Sequence, residues 1–461
     1  MQTICQRGRR GMLLAVFRRM DESPVERALE LRLPRRVLLL GARGLIGSAV
    51  LARFVAESVA VRAVARQRTQ GADIGAVEWR SLDLTTLVEP ADWLPHLEGV
   101  DAVVNCAGVL QGDDARAVHV DSARALYAAC EVRGVRRVVH LSAIGVDRGT
   151  ISEYSRTKRA GEEALMATKL DWVVLRPSVV VGRAAYGGSA LFRGLAALPV
   201  VFEFPDAGQV QVVQLDELVA TIVALSRHGA PARVALDVAG PERLELPAIV
   251  DVFRRWLRLP PAPHWRVPRW LAACGFALGD FARRLGWRPP IGGVARRELT
   301  RGAVGDPRAW SEIMGAEPAR LEAALAREPA SVQERWFARL YFLKAVVFVV
   351  LALFWIGTGV ISLTVGWEEG LSYLLEGGIP DRFAAAGVIA GALADIGVGV
   401  GIAIRRTARG ALWAAIAISV FYMIAGSFVL PRLWLDPVGP MLKIWPILAL
   451  CFVALAVVED R

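Results

Sequence analysis

Four apolar segments close this 461-residue chain, at about 340 to 364, 384 to 404, 411 to 430 and 441 to 458, and almost no charge interrupts them. Each approaches the roughly 20 residues that a helix needs to cross a hydrocarbon core of about 30 Å. In hydrocarbon every backbone N–H and C=O must find its partner within the chain, which holds such segments to helices. The sequence therefore predicts two unlike parts: an all-α membrane portion over 338–461, built as a four-helix bundle, and a soluble portion before it.

The charges between these segments set a direction. Arg335 and Arg339 precede the first segment and Lys344 lies at its start, and Arg405, Arg406 and Arg409 lie between the second and third. The loop between the first and second instead carries Glu368, Glu369, Glu376 and Asp381 against Arg382. The positive-inside rule then places both termini in the cytoplasm, in a multi-pass protein of the cell (inner) membrane. Asp395 stands in mid-span, in "GALADIGVGVG". A carboxyl at that depth either serves a function or is hydrogen-bonded against a neighbouring helix among small residues.

The net charge of +10 raises the question of nucleic acid, but the arginines are scattered, with no basic run interleaved with aromatics. We expect no nucleic-acid partner; a basic surface beside anionic lipid explains the charge. Cysteines at 5, 106, 130, 274 and 451 have neither pairing nor metal-ligand spacing, so no metal is expected and the soluble part belongs in a reducing compartment. Residues 1–34 begin "MQTICQRGRRGMLLAVFRRM", whose apolar core Met12–Phe17 is short for an export signal, and read as a basic, disordered leader.

From Arg35 the chain reads "RRVLLLGARGLIGSAVLARFV": a short apolar strand, a glycine turn and an amphipathic helix. Gly41, Gly44 and Gly47 permit a sharp turn, a close approach of backbone amides to a pyrophosphate, and tight packing of helix on sheet. Leu45 and Ile46 open the helix, whose N-terminus faces the phosphates. The next strand, "VAVRAVAR", ends at Arg66, where an NAD site would place an acid for the ribose hydroxyl. Arg66, with Arg43 inside the glycine turn, favours a 2′-phosphate and hence NADP(H) over NAD(H). Alternating strands and helices follow to about residue 182, with strands that are continuous apolar runs, which predicts an α/β doubly wound parallel sheet.

Lysine is rare in this chain: four of the 55 basic side chains, Lys158, Lys169, Lys344 and Lys443. Lys158 follows Tyr154 by four residues in "YSRTK", on one face of a helix, where an ammonium beside a phenol favours the phenolate. His119 and His140 read as structural, and Cys106 as a small buried residue.

Six stretches together resemble the short-chain dehydrogenase/reductase superfamily in its extended or atypical branches: "GARGLIG", "LDL" at 82–84, "NCAG" at 105–108, "GVRRVVHLSAIG" at 134–145, "YSRTK" at 154–158 and "LRPSVVVG" at 175–182. The resemblance implies that Tyr154 exchanges a proton with the substrate oxygen, and that Lys158 tunes it and holds the nicotinamide ribose. It extends the cofactor site to Asp83, Leu84, Cys106, Ala107, Gly108 and Pro177, beside Gly41, Arg43, Gly44, Leu45, Ile46, Gly47 and Arg66. Ser142 is the candidate third catalytic residue, but the family's commonest position for it falls on Ala143. Atypical members that have lost part of this triad bind cofactor without robust turnover.

"GQVQVVQLDELVATIVAL" and "ALDVAGPERLELPAIVDVF" resemble the extended branch's substrate-side lobe, giving a nucleotide-binding domain over 35–254. Residues 255–337 form an amphipathic helical lid or linker, in which "RWLAACGFALGDFARRLGWRPP" either lies on the bilayer or covers the substrate cleft. The four-span portion resembles DoxX-like membrane domains. These readings imply a membrane-anchored NADPH-dependent oxidoreductase, or an epimerase of the same hydride chemistry, acting on a hydrophobic or membrane-linked carbonyl, quinone or lipid-linked sugar. The alternative is a catalytically weak NADP(H)-binding scaffold or sensor for a membrane assembly. Both leave an oligomer open.

Overall fold

The computed structural model describes residues 32–66, 75–109, 114–148, 152–204, 206–287, 289, 291–437 and 439–458. The expected leader is outside them except for its last residues, 32–34. Seven strands form one sheet: β1 Arg36–Leu40, β2 Ala60–Ala65, β3 Val77–Ser81, β4 Ala102–Asn105, β5 Arg137–Leu141, β6 Asp171–Pro177 and β7 Val234–Val238. Their order is β3-β2-β1-β4-β5-β6-β7 and every pairing is parallel. This is the doubly wound sheet that the sequence predicts.

The two-residue period of a strand divides β1 between two apolar layers. Val37 and Leu39 pack with the helix α1, Leu45–Ala56, and with the helix Leu215–Leu225 on one face. Leu38 and Leu40 pack on the other face with Trp93 and with α2, Ser122–Arg133. Burial on both faces is why β1 runs apolar without a break from Val37 to Leu40. The order reverses direction between β1 and β4, and in such sheets the crevice at the carboxyl ends of the strands beside the reversal takes the ligand.

A third crossover helix, α3 Glu153–Met166, joins β5 to β6. Ser152 caps it by accepting from the Ser155 amide at 3.0 Å. Gly161 lets the helix approach closely: a Cβ there would lie 2.4 Å from the His119 carbonyl oxygen.

Packing divides the chain into two units that do not follow chain order. The sheet unit holds the described residues up to Ser189, with Asp206–Val252 and Arg297–Pro329. The second unit holds Ala190–Pro205, Phe253–Arg296 and the residues from Ala330 onward. The stretch 255–337, expected as one lid or linker, is therefore split near Arg297 and again near Ala330. Buried Trp310 explains the assignment of the middle part, because its indole Nε1 donates to Thr221 Oγ1 at 2.9 Å in the sheet unit's core.

Within the second unit, α4 spans Arg269–Arg284, and the apolar segments form α5 Leu343–Leu363, α6 Asp381–Ala403, α7 Ala408–Val429 and α8 Ile444–Val457. The first three of these apolar helices have 21, 23 and 22 residues and are long and apolar enough to cross a membrane. The fourth segment differs from expectation: α8 has 14 residues, so at 1.5 Å per residue it reaches about 21 Å. The helix begins only after Lys443, because residues 440–443 are spent on turns. A further helix, Trp367–Glu376, occupies the acidic loop after α5.

Small residues bring α5 and α6 together. A Cβ on Gly359 would stand 2.4 Å from the Ala392 carbonyl oxygen, and one on Gly399 would stand 2.7 Å from the Ile356 nitrogen. Asp395 is buried, and the Tyr422 hydroxyl donates to its Oδ1 at 3.0 Å. Its carboxyl is thus bonded to a neighbouring helix.

Candidate functional site

The glycine turn is built by contacts that a side chain would destroy. Gly41 has φ +71°, and a Cβ on it would stand 2.9 Å from the carbonyl carbon and oxygen of Cys106. On Gly47 a Cβ would fall 2.1 Å from the Gly41 oxygen; on Gly44 it would clear that atom by 3.2 Å. Gly44 is the N-cap of α1, with no side-chain cap and no acidic residue in the first turn. The free N–H groups of the first turn, including those of Leu45 and Ile46, leave that end positive, as a pyrophosphate requires. A nucleotide's diphosphate fits this cradle.

Arg43 is exposed in the turn and makes no ion pair among the described residues. Arg66 is exposed at the end of β2, 3.8 Å from Asp114. Asp83 is closed into a turn of its own, accepting from the Thr85 amide at 3.0 Å and the Thr85 hydroxyl at 2.8 Å. Those bonds and the nearby Arg66 hold its carboxyl below the usual range. Leu84 packs partly buried against the core on that face.

Cys106, Ala107 and Gly108 continue β4, where the Ala107 amide donates to Asn105 Oδ1 at 3.0 Å. Burial raises the Cys106 thiol to about 12, although the Lys158 ammonium opposes it. Lys158 is buried, and its Nζ donates to the Ala107 carbonyl at 3.1 Å and the Leu141 carbonyl at 2.9 Å, bridging the ends of β4 and β5. A Cβ on Gly108 would stand 3.3 Å from that nitrogen. Burial lowers the ammonium to about 8, against the raising influence of Cys106 and Glu162.

Tyr154 lies one helical turn before Lys158 on α3. Its phenol is pushed up to about 12, first by burial and then by the Glu298 carboxylate, with Arg301 opposing. The Lys158 ammonium bears instead on Cys106, His119 and His140. Ser142 follows β5; its amide donates to the Leu175 carbonyl at 2.8 Å, while its buried Oγ has no hydrogen-bond partner among the described residues. Pro177 ends β6, and its carbonyl accepts from the Ile144 amide at 3.1 Å.

The two histidines prove to be buried brackets. His119 Nε2 accepts from the Val109 amide at 2.9 Å, so its Nδ1 carries the proton and donates to Thr157 Oγ1 at 2.8 Å. His140 Nδ1 is 2.9 Å from the Tyr127 hydroxyl. Burial, with Lys158 adding, pushes them down to about 2 and about 3 respectively, and both are neutral.

Sequence reasoning missed the groups that arrive from far along the chain. Arg176 grips Glu162 with two bonds of 2.9 and 2.7 Å and reaches Asp147 at 2.8 Å, tying β6 to α3. Glu298 accepts from Ser152 and, at 2.6 Å, from Arg301, which also donates to the Ile144 carbonyl at 2.9 Å. Only the pairing of an acid and a base three apart marks Glu298 and Arg301 in the sequence.

The geometry agrees with the comparisons. Residues 41–193 match the NAD(P)H-binding family model, and residues 352–452 match the DoxX-like family. The chain joins an NAD(P)-binding Rossmann domain to a DoxX-like domain. Among solved structures, WbmG of Bordetella bronchiseptica, solved with NAD, superposes with a TM-score of 0.51 at 17% identity, covering 66% of this chain and 96% of its own. The epimerase Mth375 of Methanothermobacter thermautotrophicus reaches 0.50 at 14% identity, covering 67% and 94%. At such identities the likeness is one of fold.

Among curated relatives, ceramide reductase of Caulobacter vibrioides is 23% identical over 198 residues, 41% of this chain. The match spans 61% of that protein's length. A dTDP-6-deoxy-L-talose 4-dehydrogenase (NAD(P)(+)) of Kitasatospora kifunensis is 27% identical over 232 residues, covering 43% of this chain and 72% of its own length. A reductase and a dehydrogenase are thus among the proteins this chain is similar to.

Proposed function

We propose that this protein is a membrane-anchored, NADPH-dependent oxidoreductase, or an epimerase using the same hydride chemistry, acting on a hydrophobic or membrane-linked carbonyl, quinone or lipid-linked sugar. The observation that carries this reading is the placement of Tyr154 and Lys158 one helical turn apart on α3, with Lys158 against the Ala107–Gly108 turn. Arg66 and Arg43 would take the 2′-phosphate, and the amides around Gly44 and Gly47 the pyrophosphate. Lys158 has a third N–H beyond the two it gives to carbonyls, and that one would hold the ribose. A bound nicotinamide supplies or takes the hydride.

Tyr154 would hold the proton. A phenol raised to about 12 stays protonated at neutral pH, which suits donation to a carbonyl oxygen during reduction. The unpartnered Ser142 Oγ would position that oxygen. A lipid substrate is supported by the ceramide named for one relative, and by the DoxX-like domain on the same chain. The Rossmann domain and both termini would face the cytoplasm, where the basic loops are retained.

The protein in detergent, supplied with NADPH and a panel of quinones, lipid-soluble ketones and aldehydes, should consume the cofactor, and Tyr154→Phe should abolish this. Equal consumption by the variant would sink the reading. A second reading, a nucleotide-binding scaffold with weak turnover, draws on the absence of a hydrogen-bond partner for Ser142 Oγ among the described residues. Tight NADPH binding with no consumption on any substrate would favour it.

A further inference from the structure

The structure assigns α4 to the bilayer surface: we propose that its exposed face lies along the boundary between headgroups and acyl chains of an anionic leaflet, as an in-plane anchor beside the spanning helices. Trp270, Leu278 and Phe281 are 69%, 67% and 57% exposed. Ala273, Cys274 and Ala277, also exposed, lie between them. At about 100° per residue these six positions cover an arc of roughly 140°, apolar but for the thiol until Arg284 ends it in the last turn. The opposite face is packed: a Cβ on Gly279 would stand 2.3 Å from the Ile291 oxygen, and the Gly293 amide donates to Asp280 at 3.0 Å. So wide an apolar face, left outward on a helix held so tightly behind, requires a cover.

Two observations identify the cover. The first is continuity with the spanning helices, because the chain leaving α4 is stitched to the end of α6. The Arg405 amide donates to the Leu285 carbonyl at 3.0 Å, and Trp287 Nε1 donates to the Ala403 carbonyl at 2.7 Å. Trp287 also stacks on Phe348 near the start of α5, with ring centroids 4.7 Å apart. The exposed face therefore begins where the bundle's apolar surface stops. The second is charge: exposed Arg269, Arg283 and Arg284 flank the apolar face, and Arg406 and Arg409 are exposed at the same end of the bundle. Apolar residues between arginines match acyl chains beneath anionic headgroups.

Cys274 supplies a native reporter. It is the one exposed free cysteine among the described residues and sits within the apolar arc. The full chain with Cys5→Ser, spin-labelled at Cys274 and placed one copy per nanodisc, should be accessible to oxygen and shielded from an aqueous nickel chelate. Shielding should deepen when phosphatidylglycerol is added to phosphatidylcholine, and Arg269→Gln with Arg283→Gln and Arg284→Gln should remove that lipid dependence. Trp270→Ser with Leu278→Ser and Phe281→Ser should expose the label to nickel while the bundle stays inserted. A label freely reached by nickel in both lipids would overturn the proposal. Shielding that appears only with two copies per disc, with dipolar broadening, would assign the face to self-association and overturn it equally.

Discussion

Glu298 accepts a hydrogen bond from Ser152, the residue that caps the helix carrying Tyr154, across 146 positions of sequence. Arg301, one turn on, holds the same carboxylate and the carbonyl of Ile144, two residues beyond Ser142. One short segment therefore fixes both the start of α3 and the loop after β5. Its charge reaches the phenol as well, so Glu298→Gln should lower the Tyr154 ionisation from about 12 toward its ordinary value, with Arg301 no longer balanced. Ultraviolet difference titration against Tyr154→Phe reads this directly, and an unmoved titration would remove Glu298 from the site's electrostatics. Ser152→Ala should cost about 1 kcal/mol through loss of the cap, read as a lower unfolding midpoint.

The glycine turn separates packing from ligand approach. Gly47→Ala puts a methyl 2.1 Å from the Gly41 oxygen, a backbone atom that cannot yield cheaply, and overpacking of that kind costs about 1–3 kcal/mol. Gly44→Ala meets the same atom at 3.2 Å and should fold nearly as the parent does while binding cofactor more weakly. NADPH fluorescence titration beside thermal unfolding distinguishes the two; equal behaviour of both variants would show that the turn does not work this way.

Cofactor choice turns on Arg66 at the end of β2. Arg66→Asp should weaken NADPH and strengthen NADH, changing their affinity ratio by about tenfold or more for a change of about 1.4 kcal/mol. Isothermal titration with both nucleotides checks it, with Arg43→Ala expected to weaken NADPH alone.

Buried neutral histidines make the sheet unit acid-sensitive. His119 and His140 have folded values of about 2 and about 3, against 6.5 unfolded. Below pH 6.5 the unfolded chain takes up protons that the folded chain refuses, so stability must fall as pH falls. With two such groups the slope approaches about 2.7 kcal/mol per pH unit, twice 1.36. Urea midpoints from pH 7.5 down to 5 should show this loss, and His119→Gln should roughly halve the slope. An unchanged slope would place the proton uptake elsewhere.

What could be read in advance follows the range of the interactions. Gly41, Gly44 and Gly47 act on each other and on a helix that follows at once, so their spacing was legible. Tyr154 and Lys158 are one turn apart on a helix, and the apolar strands alternate with helices regularly enough to specify a parallel sheet. Glu298 and Arg301 were not legible, because nothing near them in sequence records the loop they clamp. The carbonyls of Ala107 and Leu141, which take two of the Lys158 N–H groups, were not legible either, because backbone acceptors leave no mark on a sequence. That α8 would be shorter than the segment 441 to 458 was not legible, because hydropathy counts apolar residues and cannot see where a turn consumes them.

The bridge made by Lys158 bears on codons. Either lysine codon lies one base from arginine, the substitution that a chain with 51 arginines and four lysines accepts almost everywhere. Here a single nitrogen donates to two carbonyls at 3.1 and 2.9 Å with Gly108 close against it, and a planar guanidinium has no room to do the same. Lys158 is thus a position at which genomic drift toward arginine meets a steric wall.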